Sequence, residues 1–223
     1  MAMGWGVEDD ETYAALLENK LLISVLNMGV SSYGTAREIA YSLQNKYFDD
    51  AEFIIIQYSN NDIVENIFYL EEEKFYTKKE NFELIQKYRG DTKPSIFKYS
   101  AQYITGIINK LNNYISKPLS NEDDHVKARR YNDISGKTHA DVFVKVLETF
   151  HSLYDKKIIV LEMNGHNIVL DGFLTNINSD KLDLFPLKID FYDDDVFILD
   201  GHINQKGHQH ISNELYNLLQ GLI

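Results

Sequence analysis

The sequence predicts an α/β protein built on a parallel sheet. Short runs of β-branched residues alternate with segments of helical periodicity, as in an open parallel α/β arrangement. Polar, turn-rich loops follow directly on two of those runs. An apolar fraction of 44% over 223 residues is enough for a real core in one larger domain. One domain spanning residues 1–223, with an insertion at about 69–134, is the expected organisation.

Taken in order, Gly4-Trp5-Gly6-Val7 opens the chain on glycines and an acidic capping stretch follows at 8–11. Tyr13, Leu16, Leu17 and Leu21 recur at helical spacing. The aliphatic run 22–26 reads as a strand ending in the turn-rich loop 27–34. Thr35 and Glu38 have capping-box spacing, so a helix is expected from Thr35 to about Lys46. The next strand is 52–58, ending in Ser59-Asn60-Asn61-Asp62.

The Lys-, Tyr- and Asn-rich stretch 69–134 reads as an insertion that caps the site, with a helix at about 96–115. Beyond it the alternation resumes. A helix is expected at about 138–154, a strand at 157–163 and a helix from about His166 to Asn178. A last strand or loop over 190–199 and a closing helix over 211–219 complete the chain.

The totals exclude several classes of function. No cysteine is present, which removes disulfides, thiolate metal sites and a cysteine nucleophile. No run approaches the roughly 18 apolar residues of a membrane helix. No signal-peptide pattern is visible at the start, so cytoplasmic residence is the default expectation. A net charge of −12, with one compact basic cluster at Lys127, Arg129 and Arg130, argues against a nucleic-acid partner. The acidic runs lack the regular ligand spacing of a calcium loop.

The chemistry gathers in Asp200-Gly201-His202-Ile203-Asn204-Gln205-Lys206-Gly207-His208. A carboxylate two residues before an imidazole can orient the ring and stabilise its protonated form, as a general base requires. The loops at 27–35 and 59–62 offer backbone N–H groups beside small residues and the Asn61 amide, the components of an oxyanion hole. All three follow predicted strands, where active sites of open α/β sheets form. A metal site from His202, His208 and His210 suits an extended segment rather than the helix start expected there. Trp5, the single tryptophan, is expected to pack in the core rather than line a pocket.

These residues resemble the SGNH, or GDSL-type, hydrolases. The second family block, an Asn-x-Gly-Val-type loop, is similar to Asn27-Met28-Gly29-Val30. The third, Gly-x-Asn-Asp, is similar to Ser59-Asn60-Asn61-Asp62, and the fifth, Asp-x-His-x-Asn-x-x-Gly-His, to 200–208. The resemblance implies a three-layer α/β/α, flavodoxin-like parallel sheet and a Ser-His-Asp esterase, lipase-like or carbohydrate O-acetyl-esterase. In that reading His202 is the base, Asp200 its orienter, and Asn61, Ser32 and Gly29 supply the oxyanion hole. It needs no metal or organic cofactor, and the partner is a small ester or acylated carbohydrate.

The chain departs from the family in two ways. Ser32 and Ser59 stand where the family has glycines. Gly4-Trp5-Gly6-Val7 matches the end of the first block, so the nucleophilic serine and the first strand would precede Met1. Ser31 and Ser32 lie in the loop that should donate N–H groups and are poor substitutes. A catalytically silent binder of an ester, glycan or protein, and an O-acyltransferase using the same residues, are the alternatives. Without the first strand the sheet is expected to carry unpaired backbone.

Overall fold

Ile158, Ile159, Val160 and Leu161 are consecutive aliphatic residues, and none has any solvent exposure. Only a strand covered on both faces can bury such a run, which is the condition of a parallel sheet. The structure, a computed structural model, describes all residues except 1, 3, 32, 76–133, 165–169 and 198–201, with backbone alone at 163 and 164. The described strands are β1 (Phe53–Tyr58), β2 (Lys157–Asn164) and β3 (Asp183–Asp190). They form an all-parallel sheet in the order β1-β2-β3. Ile55 pairs with Ile159 and Ile159 with Phe185.

Among the described residues six α-helices accompany the sheet: α1 (Tyr13–Leu21), α2 (Thr35–Ser42), α3 (Asp62–Glu72), α4 (Gly136–Thr149), α5 (Phe173–Asn176) and α6 (Gln205–Gln220). The two-residue alternation of the strands divides the core. Ile56, Tyr58, Ile158 and Val160 pack with Phe143 and Leu147 of α4 and Phe173 of α5. Ile159, Leu161 and Ile189 pack with Leu17 of α1 and with Ile211, Leu215 and Leu219 of α6. Helices therefore cover both faces. Among the described residues no helix is long and apolar enough to cross a membrane.

Three expectations are corrected. The run 22–26 is not a strand. Leu22 ends α1 in the left-handed region (φ 57°) and is 88% exposed, and Leu26 is 55% exposed. A strand needs a neighbouring backbone, and here the Val25 N–H donates instead to Glu18 Oε2 (2.7 Å). The strand β3 lies at 183–190 rather than 190–199. Pro186 hides it, because proline is tolerated only where no inner neighbour needs its N–H, and among the described residues β3 is an edge strand.

The capping box is the third. Gly34, not Thr35, is the N-cap of α2, and α3 supplies the caps. Glu65 Oε2 accepts the Gly34 N–H (2.6 Å) and Asn66 Oδ1 accepts the Ala36 N–H (3.2 Å). The insertion at 69–134 falls outside the described residues except for its first residues, where α3 ends at Glu72. The basic cluster at 127–130 also lies outside them. Of the helix expected at 166–178, the described part is α5.

Phe143 of α4 is fully buried and meets Tyr58 and Phe173 edge to face, at 5.1 and 5.6 Å between ring centroids. Phe143→Ala is expected to cost about 3–5 kcal/mol. A urea titration checks this through a lower midpoint at unchanged slope.

Candidate active site

The residues around His202 explain why the segment folds as it does. After β3 the chain makes a tight 3₁₀ turn, Asp193–Asp195, closed by the Tyr192 N–H donating to Asp195 Oδ2 (3.0 Å). Val196 then bridges Ile203 in antiparallel fashion. The Phe197 N–H donates to the His202 carbonyl (2.7 Å), and the Asn204 N–H to the Asp195 carbonyl (2.9 Å). Asn204 caps α6 by accepting from the N–H groups of Lys206 (2.9 Å) and Gly207 (3.1 Å). Gly207 sits so close to the Asp195 carbonyl that a Cβ would lie 2.3 Å from it. The spacing of Asn204 and Gly207 after His202 thus has a structural cause: they fix the hairpin that carries the imidazole. Asp200 lies outside the described residues.

The other two histidines of the segment go elsewhere. His208 is fully buried, and its Nδ1 accepts the Tyr13 N–H (3.1 Å). The ring therefore carries its proton on Nε2, and burial pushes its pKa down to about 4. His210 Nδ1 meets the buried Asp195 Oδ2 (2.9 Å), with its ring stacked on Tyr192. Both pin α6 to its surroundings, and among the described residues no group could hold a metal ion.

Beneath the loops at 27–35 and 59–62 lies a group of carboxyls that sequence reasoning missed. Asp62, in the first turn of α3, accepts from the Ser59 N–H (3.2 Å) and the Thr35 hydroxyl (3.4 Å). Glu65 holds the Gly34 N–H on one oxygen and faces Arg37 Nε at 2.6 Å on the other. Burial raises the Asp62 carboxyl well above the carboxylate range, and the charge of Glu38 adds to this. Burial likewise pushes Glu38 up to about 7, with Glu65 contributing. The signal was present in the sequence, since Glu38, Asp62 and Glu65 all fall in the first turns of helices.

Of the oxyanion candidates, Asn61 is the N-cap of α3, is exposed, and makes no side-chain cap bond. Its amide has no helix-capping duty. The Gly29 N–H donates to Asn27 Oδ1 (3.1 Å) and is occupied within its own loop. Ser32 lies outside the described residues, and Ser31 is exposed.

Residues at the start of the chain tie these loops together. Asn27 Nδ2 donates to the Ala2 carbonyl (2.8 Å), Trp5 lies against His202 at 6.3 Å between ring centroids, and Gly6 abuts Phe197. Thr35 and Gly34 in turn bind Asp62 and Glu65. Trp5 is not in the core: it is 57% exposed. An open cavity of about 340 Å³ lies apart from His202, between α1 and residues 25–27, lined by Asp9, Thr12, Glu18, Asn19, Val25 and Asn27 among others. Comparison of the chain with protein-family models, with curated proteins and with solved structures finds no match in any of the three.

The raised Glu38 carboxyl sets a pH dependence. The folded state holds a proton that the unfolded chain releases, so this group's contribution is fullest below about 4.5 and is lost as pH rises to about 7. Glu38→Gln should therefore gain stability over the parent at pH 8 but not at pH 4, by on the order of 3 kcal/mol at about 1.4 kcal/mol per pKa unit. Urea midpoints of both proteins across that range check it. Equal differences at the two pH values would contradict the assignment.

Proposed function

We propose that this chain is part of an SGNH-like ester hydrolase of the Ser-His-Asp kind, acting on a small acyl or O-acetyl ester. The observation that carries the reading is the joining of the three loops. The His202 hairpin, the 27–35 loop and the 59–62 loop are tied through Ala2, Trp5 and Gly6 on one side, and through Asp62 and Glu65 on the other. The reading requires a nucleophilic serine in addition to these residues.

Among the described residues β1 pairs only with β2. Its outer edge therefore offers unpaired backbone to a further parallel strand. The apolar side chains Leu22, Ile23 and Leu26 are exposed, and Ala2 is held at the end of that run by Asn27. In this reading a further strand, carrying the Gly-Asp-Ser block, would lie along this edge.

In the reaction, the serine hydroxyl attacks the ester carbonyl carbon as His202 takes its proton, with Asp200 orienting the imidazole. The oxyanion of the tetrahedral adduct is held by the Asn61 amide and by N–H groups of residues 30–32, the Gly29 N–H being taken by Asn27. Collapse breaks the bond to the alcohol oxygen, which receives the proton from His202. Water then enters by the same steps, releasing the acid and restoring the serine.

The test is a chain extended by an apolar strand ending in Gly-Asp-Ser, assayed on p-nitrophenyl acetate. His202→Ala should lower kcat by roughly 10³-fold or more and Asn61→Ala by roughly 10²–10³-fold, with unchanged circular dichroism. Undiminished turnover in His202→Ala would falsify the role of that residue. Acyl transfer to an added alcohol in preference to water would make the protein an acyltransferase. Binding of the ester without turnover would make it a silent relative.

A further inference from the structure

Tyr58 is the last residue of β1, and His139 lies in the first turn of α4. Both are buried, and the Tyr58 hydroxyl lies 2.7 Å from His139 Nδ1. The Tyr58 ring is fixed by its neighbours, stacked on Phe173 at 4.4 Å between centroids and edge to face with Phe143. Among the described residues its hydroxyl meets no acceptor but Nδ1. A buried hydroxyl that donates nowhere is costly, so Tyr58 is the donor and Nδ1 the acceptor. Burial holds the Tyr58 phenol well above its ordinary range, with the charge of Asp62 adding to this, so the hydroxyl keeps its proton. The imidazole is therefore neutral, with its own proton on Nε2.

We infer that Tyr58 and His139 form an acid-opened latch, which clamps the end of β1 and the 59–62 loop to the start of α4 while His139 is neutral and releases both when it is protonated. The inference goes beyond the ester-hydrolase reading and does not depend on it. A protonated imidazole carries N–H on both nitrogens, so two donors would face each other where one bond now holds. The break reaches the loop because Ser59 follows Tyr58 directly and gives its N–H to Asp62. The surroundings oppose a cation at this place. The N-terminus of α4, capped by Ser135, turns the positive end of its peptide dipoles on its first turn. Ile39 and Leu43 of α2 and Phe173 of α5 pack against this helix. The acids at this end of the sheet are Asp62 of α3 and Glu162, the register partner of Tyr58 on β2. Glu162 Oε1 accepts the Leu170 N–H (3.3 Å), with the charges of Lys188, Asp171 and Asp190 around it. Lys137, in the same turn as His139, is exposed.

The test is amide hydrogen exchange of the full chain between about pH 7.5 and 5.5, with rates corrected for the intrinsic effect of pH. Protection of residues 58–62 and 136–140 should fall roughly tenfold across that range, while protection of 158–161 in β2 holds. Glu38 titrates in the same window with the opposite sign: its protonation adds stability, so it cannot produce this loss. In nitrogen-15 spectra of the imidazoles, His139 Nδ1 should be bare at pH 7.5, and its protonation should track the loss of protection. His139→Asn offers an amide oxygen to the Tyr58 hydroxyl and does not titrate, so it should keep protection constant. A proton on Nδ1 at pH 7.5 overturns the inference. So does protection that stays unchanged in the parent, that is lost together with 158–161, or that falls equally in His139→Asn. The parent protein alone decides the first three outcomes, whether or not the variant folds. None of them requires a nucleophile, so ester turnover and the latch stand or fall separately.

Discussion

A parallel strand that is aliphatic on both faces must be covered on both faces, and the architecture follows from that requirement at β2. Its four fully buried residues alternate between two clusters, one closed by α4 and α5 and the other by α1 and α6. Parallel pairing also forces every strand to end on the same edge. The loop after β1 and the chain after β3 therefore leave the sheet at one side, whatever their sequences. Residues 59–62 and the His202 hairpin share an edge because β2 needs parallel neighbours.

What makes that edge specific is the treatment of its charges. Burying carboxyls is costly unless donors meet them. Here the donors are the loop backbones themselves: Glu65 takes the N–H of Gly34, and Asp62 that of Ser59. Each carboxyl also lies at a helix N-terminus, Glu65 at that of α2 and Asp62 at that of α3, where the peptide dipoles favour negative charge. The same groups that carry the burial cost hold two loops in fixed relation. The raised carboxyls of Asp62 and Glu38 follow from their burial and from the mutual repulsion of Glu38, Asp62 and Glu65.

The parts legible in the sequence were those whose cause is local. Periodicity alone identifies α1, α6, β1 and β2, and the Asn204 and Gly207 spacing already contains the cap and the close approach that shape the His202 hairpin. The misreadings at Thr35 and at residues 22–26 have tertiary causes. Thr35 and Glu38 have capping-box spacing, yet Glu65 and Asn66, about thirty residues away, perform the capping. Residues 22–26 have strand composition, but composition does not supply a pairing partner. Trp5 reads as core by hydropathy, and only the Gly4 and Gly6 conformations turn it outward.

An aspartate–histidine contact does not by itself define a general base. One such contact, Asp195 with His210, is ill suited to the role. His210 is held between the faces and edges of Tyr192 and Phe191, at 5.7 and 6.0 Å, and its carboxylate partner is also committed to the Tyr192 N–H. That ring closes a turn, and moving it would open the turn. His208 is sealed in the core with burial opposing its protonated form. His202 differs from both. It is only half buried, on a hairpin braced at its base by the Val196–Ile203 bridge and the Asn204 cap, and Asn204 rather than the imidazole caps the helix behind it. Its ring also faces Trp5 of the turn that closes between Gly4 and Val7.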